Sequence, residues 1–289
     1  MFEFNETLEQ ARARNIADAL REDIGRGDWT AQLVPAGRRV HARVSVREAA
    51  VLAGRDWFEG CVHALDAQAR VDWHYAEGAD MAPDTPVCEI EAEARALLSA
   101  ERPALNFLQL LSATATTTRA HVRAIEGAST NPRGCVVLDT RKTLPGLRQA
   151  QKYAVRVGGG HNQRLALWHG ILIKENHIAA AGGIAAALAG AAALQAGVEV
   201  QIEVETLAQL REALAAGATS VLLDNFSDAM MREAVAISGG RALLEVSGGV
   251  ALDQLRGIAA TGVDRISIGR LTKDVRAVDY SMRVLDRVA

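Results

Sequence analysis

Cysteine is almost missing from this chain of 289 residues. The three present, Cys61, Cys88 and Cys135, are odd in number and widely spaced, so they make neither a disulfide framework nor a CxxC metal knuckle. That usage fits a reducing cytosol, and a cytoplasmic location is expected. Long apolar runs are missing too: 49% of residues are hydrophobic, yet no stretch approaches bilayer length, so no membrane partner is expected. The opening MFEFNETLEQARARNIADAL is amphipathic and acidic at its start, unlike a secretory signal. The seven histidines show neither HxH nor HExxH spacing, which speaks against zinc, and no protein-held metal is expected. A positive surplus is lacking as well. With a formal charge of −3 and a pI near 6.2, nucleic acid is not the expected partner.

What is present is a local concentration of positive charge. Between Asp139 and Lys174 stand Arg141, Lys142, Arg148, Lys152, Arg156, Arg164 and Lys174, against the single acid Asp139. Seven cations less one acid give +6, so with a total of −3 the rest of the chain sums to −9. Such a field in an acidic protein suits a small, highly anionic ligand; a solvated basic face is the alternative.

The first hundred or so residues read as mixed α and β. Val40, Ala42, Val44 and Val46 alternate with polar residues as a half-buried strand does. A helical stretch follows around Trp57, Phe58, Cys61, Val62 and Leu65, then further strands at Val71–Tyr75 and Val87–Ala92. Pro83, Asp84 and Pro86 mark the turn between those two strands. A long helix is predicted from Glu101 to about Ile125. The second half is more regular: β-rich runs end at Leu138, Ile173, Val204, Leu223, Val246 and Ile268, with alanine-rich helical stretches between them. That is the signature of parallel β/α units. Six units are too few for a complete eight-fold barrel and leave a six-stranded barrel or an open sheet.

Polar residues follow each run. Asp139, Thr140, Arg141 and Lys142 follow the first, Lys174 the second, and Asp224 the fourth; Glu203 and Glu205 lie in or just beyond the third. In β/α barrels the carboxyl ends of the strands form the active face, so these residues are expected to converge on one mouth. Arg141, Lys142, Arg164 and Lys174 suit carboxylates or a pyrophosphate: arginine offers a planar fork, lysine a compact charge. Glu203 and Asp224 beside them could hold a ribose, steady a developing positive charge or reach Mg²⁺ through water, or simply pair with the lysines. Ser247-Gly248-Gly249 and Ile268-Gly269-Arg270 read as a phosphate site whose glycines admit backbone N–H groups to an anion. Arg148, Lys152 and Arg156 recur at helical spacing and read as a solvated helix face or subunit contact.

Six segments resemble the quinolinate phosphoribosyltransferase family: EDIGRGDWT (22–30), ERPALNFLQLLSATAT (101–116), DTRKTLPGLRQAQKYAVRVGGG (139–160), LIKENHI (172–178), VLLDNF (221–226) and EVSGGV (245–250). The resemblance implies an N-terminal α/β open sandwich over residues 1–113, a six-stranded incomplete β/α barrel over 114–274, and a tail, 275–289, that packs back on the first domain. It also implies joining quinolinate to phosphoribosyl pyrophosphate with loss of CO₂, and Mg²⁺ carried with the pyrophosphate. A homodimer follows from it, in which Arg102 reaches the partner's site. On that footing Thr140, Arg141, Lys142, Arg164, Lys174, Glu203 and Asp224 join Arg102 in holding substrate. Lys142, Lys174, Glu203 and Asp224 take catalytic roles, with Glu203 preferred over Glu205 through the resemblance alone. One departure stands out. Many members carry His immediately before the arginine matching Arg164, where this chain has Gln163; a carboxamide does not titrate, which argues against obligatory proton transfer there. Trp168-His169 stands where relatives often place an acid. A barrel aldolase or decarboxylase using Lys174 as a Schiff base, a silent phosphosugar-binding protein, and the family's molybdenum-transport-associated paralogue remain as alternatives.

Overall fold

The computed structural model describes residues 5–287, and the chain forms two compact units. The first holds the chain up to Arg119, then Thr143–Gly159, then the chain from Thr272 onward; the second holds Ala120–Lys142 and Gly160–Leu271. The helix Arg148–Val157 thus groups with the first unit, although the sequence division places it in 114–274. The reason is packing. Its Ala150 and Ala154 are fully buried in the same hydrophobic cluster as Trp57, Phe58 and Leu108. Lys152 on this helix is 1% exposed, so it is not part of a solvated face as its spacing suggested. Its aliphatic stem lies in the packed face, and a buried ammonium persists only with its charge compensated.

In the first unit, Arg39–Val46 buries every second residue, as its period-2 pattern predicts. It pairs antiparallel with Thr85–Glu93 on one side and Tyr280–Arg287 on the other, and Arg70–Trp73 extends the sheet beyond Thr85–Glu93. Trp57 and Phe58 from the helix Arg55–Leu65 lie buried with Leu97, Leu105, Leu108 and Leu111 from the long helix Ala94–Ile125. That helix starts well before the predicted Glu101 and runs through Pro103. A proline removes one backbone donor, but burial of Ala94, Leu97 and Ala100 secures the turns before it.

Gly158 ends the helix Arg148–Val157 where a Cβ would stand 2.5 Å from Ala115 O and 2.7 Å from Thr118 Cβ. Backbone on one side and a fully buried threonine on the other leave no room to yield. Gly158→Ala is therefore expected to destabilise the protein by about 3 kcal/mol through overpacking, read as a lower denaturant midpoint at unchanged slope.

The second unit carries six parallel strands: β1 (Val136–Leu138), β2 (Gly170–Ile173), β3 (Glu199–Val204), β4 (Ser220–Asp224), β5 (Leu243–Ser247) and β6 (Arg265–Ser267). Their spatial order is β1-β6-β5-β4-β3-β2, so the last strand lies beside the first and the barrel stays open between β1 and β2. β4 is buried along Ser220–Leu223, as a strand covered on both faces should be. Helices Leu207–Ala215 and Asp228–Ser238 fill two of the crossovers; Thr206 and Ser227 cap them by accepting from Gln209 N and Met230 N. At the open seam His161 pairs beside β1: its N–H donates to Val137 O at 2.8 Å and its carbonyl accepts from Asp139 N at 3.1 Å. Among the described residues no single helix is long and apolar enough to cross a membrane.

Candidate active site

The carboxyl ends of the strands meet in neighbouring pairs. At β2 and β3, Lys174 Nζ donates to Glu203 Oε2 at 2.6 Å, with the lysine side chain 44% exposed and the glutamate 10%. Lys174 also precedes the helix Glu175–Ala181, where His177 Nδ1 accepts from Lys174 N at 3.0 Å and fixes the turn. At β1 and β6, Thr140 Oγ1 accepts from Lys142 N at 3.0 Å, and the Lys142 stem runs against Gly269, where a Cβ would come within 2.9 Å of Lys142 Cδ. At β4 and β5, Asp224 lies opposite Ser247 in register. Asn225 Nδ2 donates to Asp224 Oδ2 at 3.0 Å, and Asn225 occupies the space that a Cβ on Gly248 would need. Gly248 has φ +110°, so glycine is required there on two counts.

The seam between β1 and β2 places the remaining cations. Asp139, fully buried at the end of β1, accepts from Asn162 Nδ2 at 2.6 Å and from Gln163 N at 3.0 Å. Those bonds hold the segment that leads into Arg164, which is half-buried and donates from Nη1 to Gly170 O at 3.0 Å. Burial holds the Arg164 guanidinium below the usual arginine range, and the neighbouring positive charge of Arg141 pushes it the same way. A cavity of about 370 Å³ opens at this seam toward the amino ends of the strands, lined by Gln163, Arg164 and Gln201 together with Gly170, Glu199 and Arg265, the first residues of β2, β3 and β6. Arg141, Lys142, Lys174, Glu203 and Asp224 at the mouth do not line it. Asp139→Ala would orphan two donors on this segment. The expected result is a loss of about 2 kcal/mol in stability and faster amide exchange over residues 161–164.

The glycine-rich ends differ from the expected helix-terminus site. The helix after Ser247-Gly248-Gly249 is only Leu255–Ala259, so anion capture there would rest on loop N–H groups more than on a helix dipole. Ile268 is buried and its N–H donates to Leu138 O at 2.9 Å, which leaves Gly269 and Arg270 to face a ligand from that strand end. Arg270 is exposed at the start of the short helix Arg270–Lys273. Arg102 is exposed on the long helix of the first unit. Burial pushes the Cys61 and Cys135 thiols up to about 12, so neither is a nucleophile at neutral pH.

Two polar residues escaped the sequence reading; a third, Asp139, was placed at the end of the first β-rich run but not as the anchor of residues 162 and 163. Gln201 and Glu245 lie 4% and 1% exposed inside the sheet's curl. Their signal was the alternation Glu199, Gln201, Glu203 against Val200, Ile202, Val204, which marks one polar face on a strand expected to be apolar on both.

Comparison with known proteins follows this geometry. Residues 28–112 match the family model described as "Quinolinate phosphoribosyl transferase, N-terminal domain", and residues 114–283 match its C-terminal domain. The chain is 42% identical over 277 residues to the nicotinate-nucleotide pyrophosphorylase [carboxylating] of Mycobacterium leprae, covering 92% of this chain and 95% of that one. It is 39% identical over 264 residues to a probable nicotinate-nucleotide pyrophosphorylase [carboxylating] of Bacillus subtilis, covering 91% and 90%. Among solved structures, the nicotinate-nucleotide pyrophosphorylase of Francisella tularensis superposes with a TM-score of 0.91 at 41% identity, over 99% of this chain and all of that one.

Proposed function

The chain belongs to the quinolinate phosphoribosyltransferase family, and on that premise we propose that it transfers the phosphoribosyl group of phosphoribosyl pyrophosphate to quinolinate. The products are nicotinate mononucleotide, pyrophosphate and CO₂, a step of NAD biosynthesis. The observation that carries this reading is the set of charged groups at the strand ends: Lys174 and Glu203 in contact at 2.6 Å, and Arg164 near enough to Arg141 to feel its charge. Two neighbouring guanidiniums repel, and a dicarboxylate relieves that repulsion. Quinolinate has two adjacent carboxylates.

The chemistry follows from the charge layout. The pyridine nitrogen attacks C1 of the ribose as the C1–O bond to pyrophosphate breaks, the electron pair leaving with pyrophosphate. C1 passes through an oxocarbenium-like state, for which the Glu203 and Asp224 carboxylates supply fixed negative charge at the strand ends. The ring nitrogen becomes cationic, so the adjacent carboxylate departs as CO₂. Its bonding pair stays on the ring carbon, which takes a proton from solvent. Lys174 and the arginines hold the two anions in line for attack, an effect of orientation more than of proton transfer.

Mg²⁺ enters this reading as part of the pyrophosphate substrate. Among the described residues no three His, Cys, Asp or Glu side chains are grouped to hold a metal. Glu203 and Asp224 are the mouth carboxylates that would meet the water ligands of an arriving ion. The free thiols of Cys61, Cys88 and Cys135 are in keeping with work in a reducing cytoplasm.

Lys174 does not suit a Schiff base. A nucleophilic amine must be free to attack, and Lys174 Nζ is engaged by Glu203 Oε2 at 2.6 Å. Borohydride added during turnover should leave Lys174 unmodified, while nicotinate mononucleotide forms only when both substrates are present. A trapped adduct at Lys174, or turnover without phosphoribosyl pyrophosphate, contradicts the reading.

The working unit in this proposal is a homodimer, with Arg102 completing the partner's site. Arg102→Ala and Lys174→Ala homodimers should each be nearly inactive. Their mixed heterodimer contains one intact site and should recover up to about a quarter of wild-type activity after random reassociation. Heterodimers that form without recovery rule out the shared site.

A further inference from the structure

Barrel interiors are ordinarily filled by branched apolar side chains. Here a polar chain runs through the inside of the sheet. Gln163 Nε2 donates to Gln201 Oε1 at 3.1 Å, and Gln201 Nε2 donates to Glu245 Oε2 at 2.9 Å and to Ser220 Oγ at 3.3 Å. Four places in the fold are linked this way: the segment before β2, then β3, and from β3 both β4 and β5. Glu245 stands opposite Arg265 in the β5–β6 register, close enough to feel its charge. Burying a carboxyl and two carboxamides costs stability that apolar side chains would not cost.

We infer that Glu245 and Gln201 are positioning residues for the Gln163–Arg164 segment and thereby for the quinolinate carboxylates. This rests on the transferase reading above and adds to it two residues that touch no substrate. The sense of the chain supports it. Glu245 Oε2 accepts from Gln201 Nε2, which turns the Gln201 amino group inward and its carbonyl oxygen toward Gln163. Gln163 must then present its own amino group to Gln201, so the side chain is held in one orientation. Its backbone is held separately by Asp139, through the bond from Gln163 N at 3.0 Å. With residue 163 pinned by main chain and side chain, Arg164 projects from a fixed point. A titrating group is not needed at 163 for this work. A carboxamide suffices where the partner is another carboxamide, which gives a physical reason for glutamine at this position.

Of the hydrogen bonds to the Glu245 carboxyl, the one from Gln201 Nε2 at 2.9 Å is the one that ties this side chain to the segment. Burial pushes the Glu245 carboxyl above the usual range, opposed by the Gln201 and Ser267 hydrogen bonds and the charge of Arg265.

The test is a double-mutant cycle in the full enzyme. Glu245→Leu is expected to raise KM for quinolinate about tenfold while KM for phosphoribosyl pyrophosphate stays within about twofold. Glu245→Gln retains an acceptor and should restore most of the loss. In a Gln163→Ala background, Glu245→Leu should add less than about twofold, because the link is already cut. Should Glu245→Leu fail to fold, Gln201→Met carries the same three comparisons. Independent, multiplying effects of positions 163 and 245, or equal rises in both KM values, overturn the positioning role while wild-type turnover still stands. A wild type without turnover would instead overturn the activity on which the role rests.

Discussion

Replacing Lys174 with alanine is expected to lower kcat/KM by about a thousandfold, or ~4 kcal/mol of transition-state stabilisation. Two losses combine in that number. The site loses a compact cation held at the end of β2, and Glu203, whose side chain is 10% exposed, loses the partner at 2.6 Å that fixes its orientation. The glutamate left behind should reduce folding stability by about 1 kcal/mol, small because the lysine half of the pair is solvated. Lys174→Arg separates two mechanisms. A residue that positions anions keeps some function as arginine, and a residual activity of about 1 to 10% is expected, limited by the bulk of the fork. A Schiff-base lysine keeps none, since guanidinium forms no imine under these conditions.

Arg164→Ala is expected to raise KM for quinolinate about a hundredfold, the loss of a charge-assisted contact of ~3 kcal/mol. The telling part is stability. Burial and the charge of Arg141 both hold the Arg164 guanidinium below its usual range, so like charges are held together there. Removing one should leave the unfolding midpoint unchanged or slightly higher, as expected where a site is strained for function. The thermal stabilisation that quinolinate gives the wild type should vanish with it. A variant both inactive and markedly unstable would make Arg164 a structural residue instead.

Much of the mouth was readable in the sequence because Arg141, Lys142, Lys174, Glu203 and Asp224 stand at or just after the ends of β-rich runs, and parallel β/α topology brings such positions together. Arg164, in the segment before β2, was not placed by that rule. Lys174 and Glu203 stand on neighbouring strands and meet as that rule requires. The order β1-β6-β5-β4-β3-β2 was less accessible, since local patterns do not say where a barrel stays open. Lys152 shows the limit of periodicity. Cations at 148, 152 and 156 share one helix face in a wheel, but which face is covered depends on what the helix packs against, and here Lys152 is inside. The Gln163–Gln201–Glu245 chain was hidden for a different reason. Its members are 38 and 44 residues apart in sequence and are joined only by the curl of the sheet. Ile268 and the short Leu255–Ala259 helix make the same point for the phosphate end: the glycines were visible, but the allocation of backbone donors was not.

One experiment addresses the central claim without relying on any variant. The purified protein is supplied with quinolinate labelled in the carboxyl carbon next to the ring nitrogen, together with phosphoribosyl pyrophosphate and Mg²⁺. The account predicts labelled CO₂ and nicotinate mononucleotide in equal amounts, with no release when phosphoribosyl pyrophosphate is left out. CO₂ released without the phosphoribosyl donor, or consumption of the donor with the label retained in the nucleotide, would contradict it.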